Sequence, residues 1–127
     1  MTHLRKTILA VDDTPAILKI IRGALHDEFF VYPATSVSAA MSTMAKTKID
    51  LILLDIEMPE VSGFDFMELL KKHPTLKTVP VIFVTSHATE DFVIKAAMMG
   101  ARDYIVKPFD TEVLRDKVYN ALNLVRI

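Results

Sequence analysis

The 127-residue chain has no cysteine, which excludes disulfide bridges and thiolate metal sites. It also has no surplus of charge. Fifteen Lys and Arg stand against sixteen Asp and Glu, for a formal net charge of -1, so nothing in the total charge calls for a nucleic-acid or membrane surface. Long apolar runs are missing too. The basic residues near the start precede only Thr7–Val11, which Asp12 cuts short. That run is too brief for a signal peptide or a membrane span, and a cytoplasmic location is expected. No repeat, low-complexity tract or linker divides the chain, so one domain over residues 1–127 is expected. What remains is ordinary globular material: 51% of the residues are hydrophobic, enough for one sizeable core and too many for disorder.

The sequence centres on the stretch from Ile49 to Gly63. Leu51–Leu54 is a short, wholly apolar run that ends on Asp55, the pattern of a strand buried on both faces in a parallel sheet. Pro59 and Gly63 then interrupt the chain and allow a helix to begin near Gly63. The same alternation runs from end to end. Thr7–Val11 reads as a strand ending on Asp12 and Asp13. Thr14 and Pro15 suit the start of a helix, whose core face would carry Ile17, Ile20, Ile21, Ala24 and Leu25. Phe29–Ala34 reads as a second strand, placed at a sheet edge by Pro33. Ser36 or Ser38 would cap a helix carrying Val37, Ala40, Met41, Met44 and Ala45.

Phe66, Leu69 and Leu70 mark a third helix, closed at His73-Pro74. Val79–Val84 is a strand ending on Thr85 and Ser86. A helix from about Thr89 carries Phe92, Val93, Ala96, Ala97 and Met99, with Gly100 as its C-terminal cap. Ala101–Val106 is a fifth strand ending on Lys107. Asp110 or Thr111 caps the last helix, with Val113, Leu114, Val118, Ala121, Leu122 and Val125 in helical register. Five strand–helix pairs in alternation predict an α/β fold: a parallel sheet covered on both faces, with right-handed crossovers.

In such a sheet the strand carboxyl ends share one edge, where open α/β folds keep their ligands. Asp12, Asp13, Asp55, Thr85 and Lys107 can therefore converge. Three adjacent carboxylates repel and need a cation or shared protons. With only oxygen ligands on offer, the cation is a hard one, and Mg²⁺ suits a site of one or two carboxylates and several waters. A carboxylate beside Mg²⁺ and an ammonium group can attack phosphorus, with the positive charges neutralising the transferring phosphoryl group. The chemistry points to an aspartyl-phosphate site.

Val11-Asp-Asp13, Leu53-Leu-Asp55-Ile-Glu-Met-Pro59 with Gly63, Val84-Thr85-Ser86 and Asp103-Tyr104-Ile-Val-Lys107-Pro-Phe109 resemble the response-regulator receiver domain of two-component signalling, over essentially the whole chain. The resemblance implies a doubly wound, flavodoxin-like five-stranded sheet in the order 2-1-3-4-5. It implies that Asp55 accepts a phosphoryl group from a histidine kinase or phosphotransfer protein. Mg²⁺ would be held by Asp13 and Asp55, by Asp12 mostly through water, and by the backbone carbonyl of Glu57. Thr85 resembles the switch hydroxyl, Tyr104 the aromatic residue that follows it, and Lys107 the phosphoryl-pairing lysine, with a cis Lys107–Pro108 bond. Phosphorylation would alter the face of helix four, strand five and helix five (residues 89–127), with Lys95, Arg102, Tyr104 and Arg115 as contacts for a downstream protein or output domain.

Several residues carry separate expectations. Glu57 and His87 lie two residues beyond Asp55 and Thr85, and with Ser86 they would tune the lifetime of the phosphoryl group. Asp50 and Asp103 are expected to solvate turns, the methionines to fill the core, and His3, His26 and His73 to lie at the surface. Nothing after the last helix reads as an output domain, so the chain is either a free-standing receiver or a piece of a longer regulator. Beyond its own phosphorylation and dephosphorylation no enzyme activity is expected. The alternative is a small Mg²⁺-dependent phosphohydrolase of haloacid dehalogenase type with Asp55 as nucleophile. Such enzymes carry a second Asp two residues on, where Glu57 stands here, and no cap insertion is visible.

Overall fold

The computed structural model describes residues 5–126, so His3 lies outside the described residues. Five strands, β1 (Thr7–Val11), β2 (Phe30–Ala34), β3 (Leu51–Leu54), β4 (Val81–Thr85) and β5 (Asp103–Val106), alternate with five helices. These are α1 (Pro15–Leu25), α2 (Val37–Lys46), α3 (Gly63–Lys72), α4 (Glu90–Met98) and α5 (Thr111–Ala121). All strand pairs are parallel and the sheet order is β2-β1-β3-β4-β5, as the sequence predicts.

Because side chains alternate across a strand, each central strand feeds two cores. Ile8, Ala10, Leu51, Leu53, Ile82, Val84 and Ile105 pack with α1 and α5. Leu9, Val11, Ile52, Leu54, Val81 and Phe83 pack with α2, α3 and α4. Leu51–Leu54 is buried on both faces, which is why it reads as an unbroken apolar run. Full burial of each such side chain contributes about 1.5–3 kcal/mol. Pro33 sits on edge strand β2, opposite Ala10. The Phe30 N–H and the Ala34 carbonyl face β1, so alternation turns Pro33, which has no N–H, outward, where it interrupts no ladder.

Several local expectations give way. The core face of α1 uses Leu18 with Ile21, Ala24 and Leu25, while Ile20 is half exposed. Leu69, Val93, Val113 and Val125 are likewise exposed, and Val125 lies beyond the end of α5. Thr14 makes no capping bond; Asp12 Oδ1 instead accepts the Thr14 N–H at 2.9 Å. Ser36, not Ser38, caps α2, and Asp110 rather than Thr111 caps α5. A 3-10 turn at Leu76–Thr78 delays β4 to Val81. Asp50 does not solvate a turn but accepts the Thr7 N–H at 2.8 Å, pinning the start of β1 beside β3. Asp103 opens β5 on the same face as Ile105 and pairs with Lys117 of α5 at 2.8 Å. Of the methionines, Met67 is fully buried whereas Met98 is exposed.

Candidate functional site

Each polar residue that ends a strand arrives at one edge of the sheet. Asp12 and Asp13 follow β1, Asp55 follows β3, Thr85 closes β4, and Lys107 follows β5. Ligand oxygens of Asp12, Asp13 and Asp55 lie within 4.8 Å of one another. Asp12 and Asp55 are buried and Asp13 is exposed, so the cluster opens to solvent on one side. Three oxygen donors this close suit a hard divalent cation, with solvent reaching the open side to complete its shell.

Lys107 is the local counter-charge. Its ammonium donates to Asp12 Oδ2 at 2.6 Å and lies 3.5 Å from Asp55 Oδ2. Burial, and then the Asp12 carboxylate, push the Asp55 carboxyl above the usual aspartate range; Lys107, the Ile56 amide and the Thr85 hydroxyl act the other way. The two upward causes dominate, so this acid holds its proton more tightly than a free aspartate.

Gly63 fixes the backbone at the end of β3. A Cβ there would lie 2.1 Å from the carbonyl oxygen of Asp55, a contact that side chains do not tolerate, and the Gly63 N–H bonds the Ile56 carbonyl at 2.7 Å. The start of α3 thereby packs directly on the turn that presents Asp55. Ser62 caps this helix through the Asp65 N–H.

Thr85 is fully buried, and its Oγ1 accepts the His87 N–H at 3.4 Å. The half-buried Tyr104 donates its hydroxyl to the His87 carbonyl at 2.7 Å. Burial and the nearby Asp55 charge raise the Tyr104 pKa, keeping the phenol protonated. His87 also pairs with the Glu57 carboxylate, and its ring stacks on Phe92 with centroids 4.2 Å apart. Glu57 and His87, singled out separately in the sequence, thus join the loops after β3 and β4 above a cleft of about 560 Å³ that Asp13 and Phe64 also line. That pairing had no sequence signal beyond the matching offset of two residues. Ser86 is exposed on the same loop. The Lys107–Pro108 bond is cis, as the resemblance implies.

On the face of residues 89–127, Lys95 and Arg102 are exposed, and Tyr104 and Arg115 are half-buried. Arg115 turns away toward α1, donating to the Ala24 carbonyl at 2.9 Å and pairing with Glu112. Arg102 donates to the Ala121 carbonyl at 3.1 Å, and the Lys95 ammonium sits over the Phe64 ring. Sequence position alone does not show that these cations also make contacts within the chain.

Comparison with known proteins agrees with this geometry. Residues 8–119 match the family model described as the response regulator receiver domain. The chain is 34% identical over 113 residues to the chemotaxis protein CheY of Pseudomonas aeruginosa, covering 87% of this chain and 91% of that one. It is 34% identical over 116 residues (91% of this chain) to a probable cyclic di-GMP phosphodiesterase of Vibrio cholerae, of which it spans 26%. Against the signal transduction histidine-protein kinase BarA of Escherichia coli it is 38% identical over 116 residues, 91% of this chain and 13% of that protein. Among solved structures, the chemotaxis protein CheY4 of Vibrio cholerae superposes with a TM-score of 0.87 at 27% identity, covering 94% of this chain and 100% of that one.

Proposed function

The chain belongs to the response regulator receiver domain family and is a phosphorelay receiver, and from that premise we propose that Asp55 is the residue that accepts the phosphoryl group. The observation that carries this assignment is the buried Asp55 carboxylate, which ends the central strand β3 with Asp12, Asp13 and Lys107 grouped around it. Residues 1–127 act as one receiver domain. The phosphoryl donor is a histidine kinase or a histidine phosphotransfer protein, a reading supported by the receiver segment within a histidine-protein kinase relative.

In the transfer, an Asp55 carboxylate oxygen attacks phosphorus and forms an O–P bond. The P–N bond of a donor phosphohistidine breaks, and the departing imidazole nitrogen keeps its electron pair. Asp13 and Asp55 would hold the divalent cation, proposed as Mg²⁺, with Asp12 acting mostly through water and the Glu57 backbone carbonyl as a further ligand. When bound, that cation neutralises charge on the phosphoryl oxygens. Lys107 adds the second positive charge, and the Thr85 hydroxyl donates to a phosphoryl oxygen. The drawn-in hydroxyl pulls on the His87 N–H that it now accepts, and Tyr104, bonded to the His87 carbonyl, follows. Partner affinity of the face built by α4, β5 and α5 then shifts with the population of the two arrangements. Glu57, Ser86 and His87 border the phosphoryl group and set its lifetime.

The phosphohydrolase alternative is not supported: family and relatives are those of receivers, not of haloacid dehalogenases. The phosphodiesterase activity in one relative's name belongs to a protein of which this chain spans 26%. Excess acetyl phosphate with Mg²⁺ separates the two chemistries. A receiver gains one phosphoryl group per chain and plateaus, whereas sustained cleavage of p-nitrophenyl phosphate would overturn the proposal.

A further inference from the structure

The near-zero net charge conceals a segregation along the strand axis. The carboxyl edge carries Asp12, Asp13, Asp55, Glu57 and Glu60, with Lys107 as its counter-charge. The amino edge carries Lys46 and Lys48 ahead of β3 and Lys71, Lys72 and Lys77 ahead of β4, with Asp27, Glu28, Asp50 and Asp103 as the acids at the strand starts. None of these five lysines makes an ion pair among the described residues, whereas Lys107 and Lys117 do.

Two cavities open on that amino edge, of about 550 Å³ and about 260 Å³, and they share Met44, Ala45, Thr75 and Leu76. Together they form one groove between α2 and the connection from α3 to β4. Met41, Met44, Leu76 and Val79 give it an apolar strip amid polar lining from Thr47, Thr75 and Thr78, and Lys46 and Lys48 line one end. One wall is fixed by His73, whose Nδ1 accepts the N–H groups of Thr75 and Leu76 at 3.2 and 3.3 Å. Asp50 also lines the groove, but its carboxylate is engaged by the Thr7 N–H at 2.8 Å. No Phe, Tyr or Trp lines the groove to stack a nucleobase, and a recessed apolar strip is the reverse of a protruding membrane anchor.

We propose that this groove docks an extended segment of a partner protein that alternates acidic and apolar side chains. In an extended chain alternate side chains point to opposite sides, so apolar residues can enter the groove while the intervening carboxylates stay at its rim, within reach of the exposed Lys46 and Lys48. Methionine side chains adapt readily to varied apolar partners, and two unpaired ammonium groups supply charge complementarity. The groove lies at the opposite end of the strands from Asp55, so docking there leaves the phosphorylation pocket open to its donor.

The test is an amide NMR titration of the full chain with the acetylated, amidated peptide Asp-Leu-Asp-Leu-Asp. Saturable shifts are expected in residues 41–50 and 73–80. Lys46→Glu combined with Lys48→Glu should weaken binding about tenfold, and Ala45→Glu, which adds a carboxylate to the groove, should weaken it as well. Lys19→Glu on α1 should change nothing. All four positions are exposed, so the variants keep the fold, and their otherwise unchanged spectra verify it. Equal binding of Asp-Ser-Asp-Ser-Asp, no saturable shift, or no loss in the double variant would overturn the proposal. So would equally strong perturbation of the same amides by inorganic phosphate or by vesicles of phosphatidylglycerol.

Discussion

The Lys107 ammonium lies closer to Asp12, at 2.6 Å, than to Asp55, at 3.5 Å. The lysine therefore compensates the whole acid cluster, not the acceptor alone. Removing one member of a buried charge pair leaves the others uncompensated, at a cost of about 3–5 kcal/mol. Lys107→Ala should thus lower stability by that order when divalent cations are chelated, and Mg²⁺ should restore part of the loss. Denaturant unfolding with EDTA and with Mg²⁺ checks this; a variant as stable as the wild type under EDTA would contradict it.

Asp55 gives a pH dependence with a definite sign. Its folded-state pKa is raised, chiefly by burial and by Asp12. Between the ordinary aspartate value and the raised one, the native state binds more protons than the unfolded chain, so cation-free stability falls as pH rises through that window. Asp55→Asn should flatten that slope and be the more stable form at neutral pH. Mg²⁺ binds the ionised form and opposes the trend, adding about 2.7 kcal/mol at a hundredfold excess over Kd. Thermal melts from pH 4 to 8 should show these differences, and identical slopes for both proteins under EDTA would refute the assignment.

Gly63 and Gly23 should respond oppositely to the same substitution. At Gly63 a Cβ collides with the Asp55 carbonyl, so Gly63→Ala must displace the acceptor strand or the start of α3. A loss of several kcal/mol, on the order of other overpacked sites, is expected along with slower labelling of Asp55. Gly23 lies inside α1 with nothing within 4 Å of its Cβ position. Gly23→Ala should stabilise by up to about 1 kcal/mol through helix propensity. Chemical denaturation of both variants settles the contrast.

Much of this was legible from periodicity and chain order. Apolar runs buried on both faces read directly as strands, and a polar residue at the end of each strand placed the site on one edge. Exposure was harder to read. Ile20, Leu69 and Val93 have the spacing of a core face yet sit on its margin, because helical period gives direction while the neighbouring element decides how far cover extends. The Glu57–His87 pair, the Lys107–Asp12 bond and the inward turn of Arg115 depend on side-chain reach between distant segments, which one sequence does not encode in any local pattern. Gly63 reads as a helix start, but its contact with Asp55 is a matter of packing.

His87 takes a hydroxyl from Tyr104 and a carboxylate from Glu57, so variants of those two partners should separate switching from lifetime. Tyr104→Phe removes one hydrogen bond, at about 0.5–1.5 kcal/mol. It should leave Asp55 labelling intact while narrowing the affinity difference of a partner for the phosphorylated and free states. Glu57→Ala should instead change the decay rate of the phosphorylated form severalfold. Partner titrations and a decay time course report on each, and wild-type behaviour of both variants would leave His87 no part in either process.

Intact-mass analysis after incubation with acetyl phosphate and Mg²⁺ tests the role of Asp55 most directly. The wild type should gain a single phosphoryl group, and Asp55→Ala should gain none while keeping its fold. Undiminished labelling of Asp55→Ala, or a wild type that takes no label, would contradict the assignment of Asp55 as the acceptor.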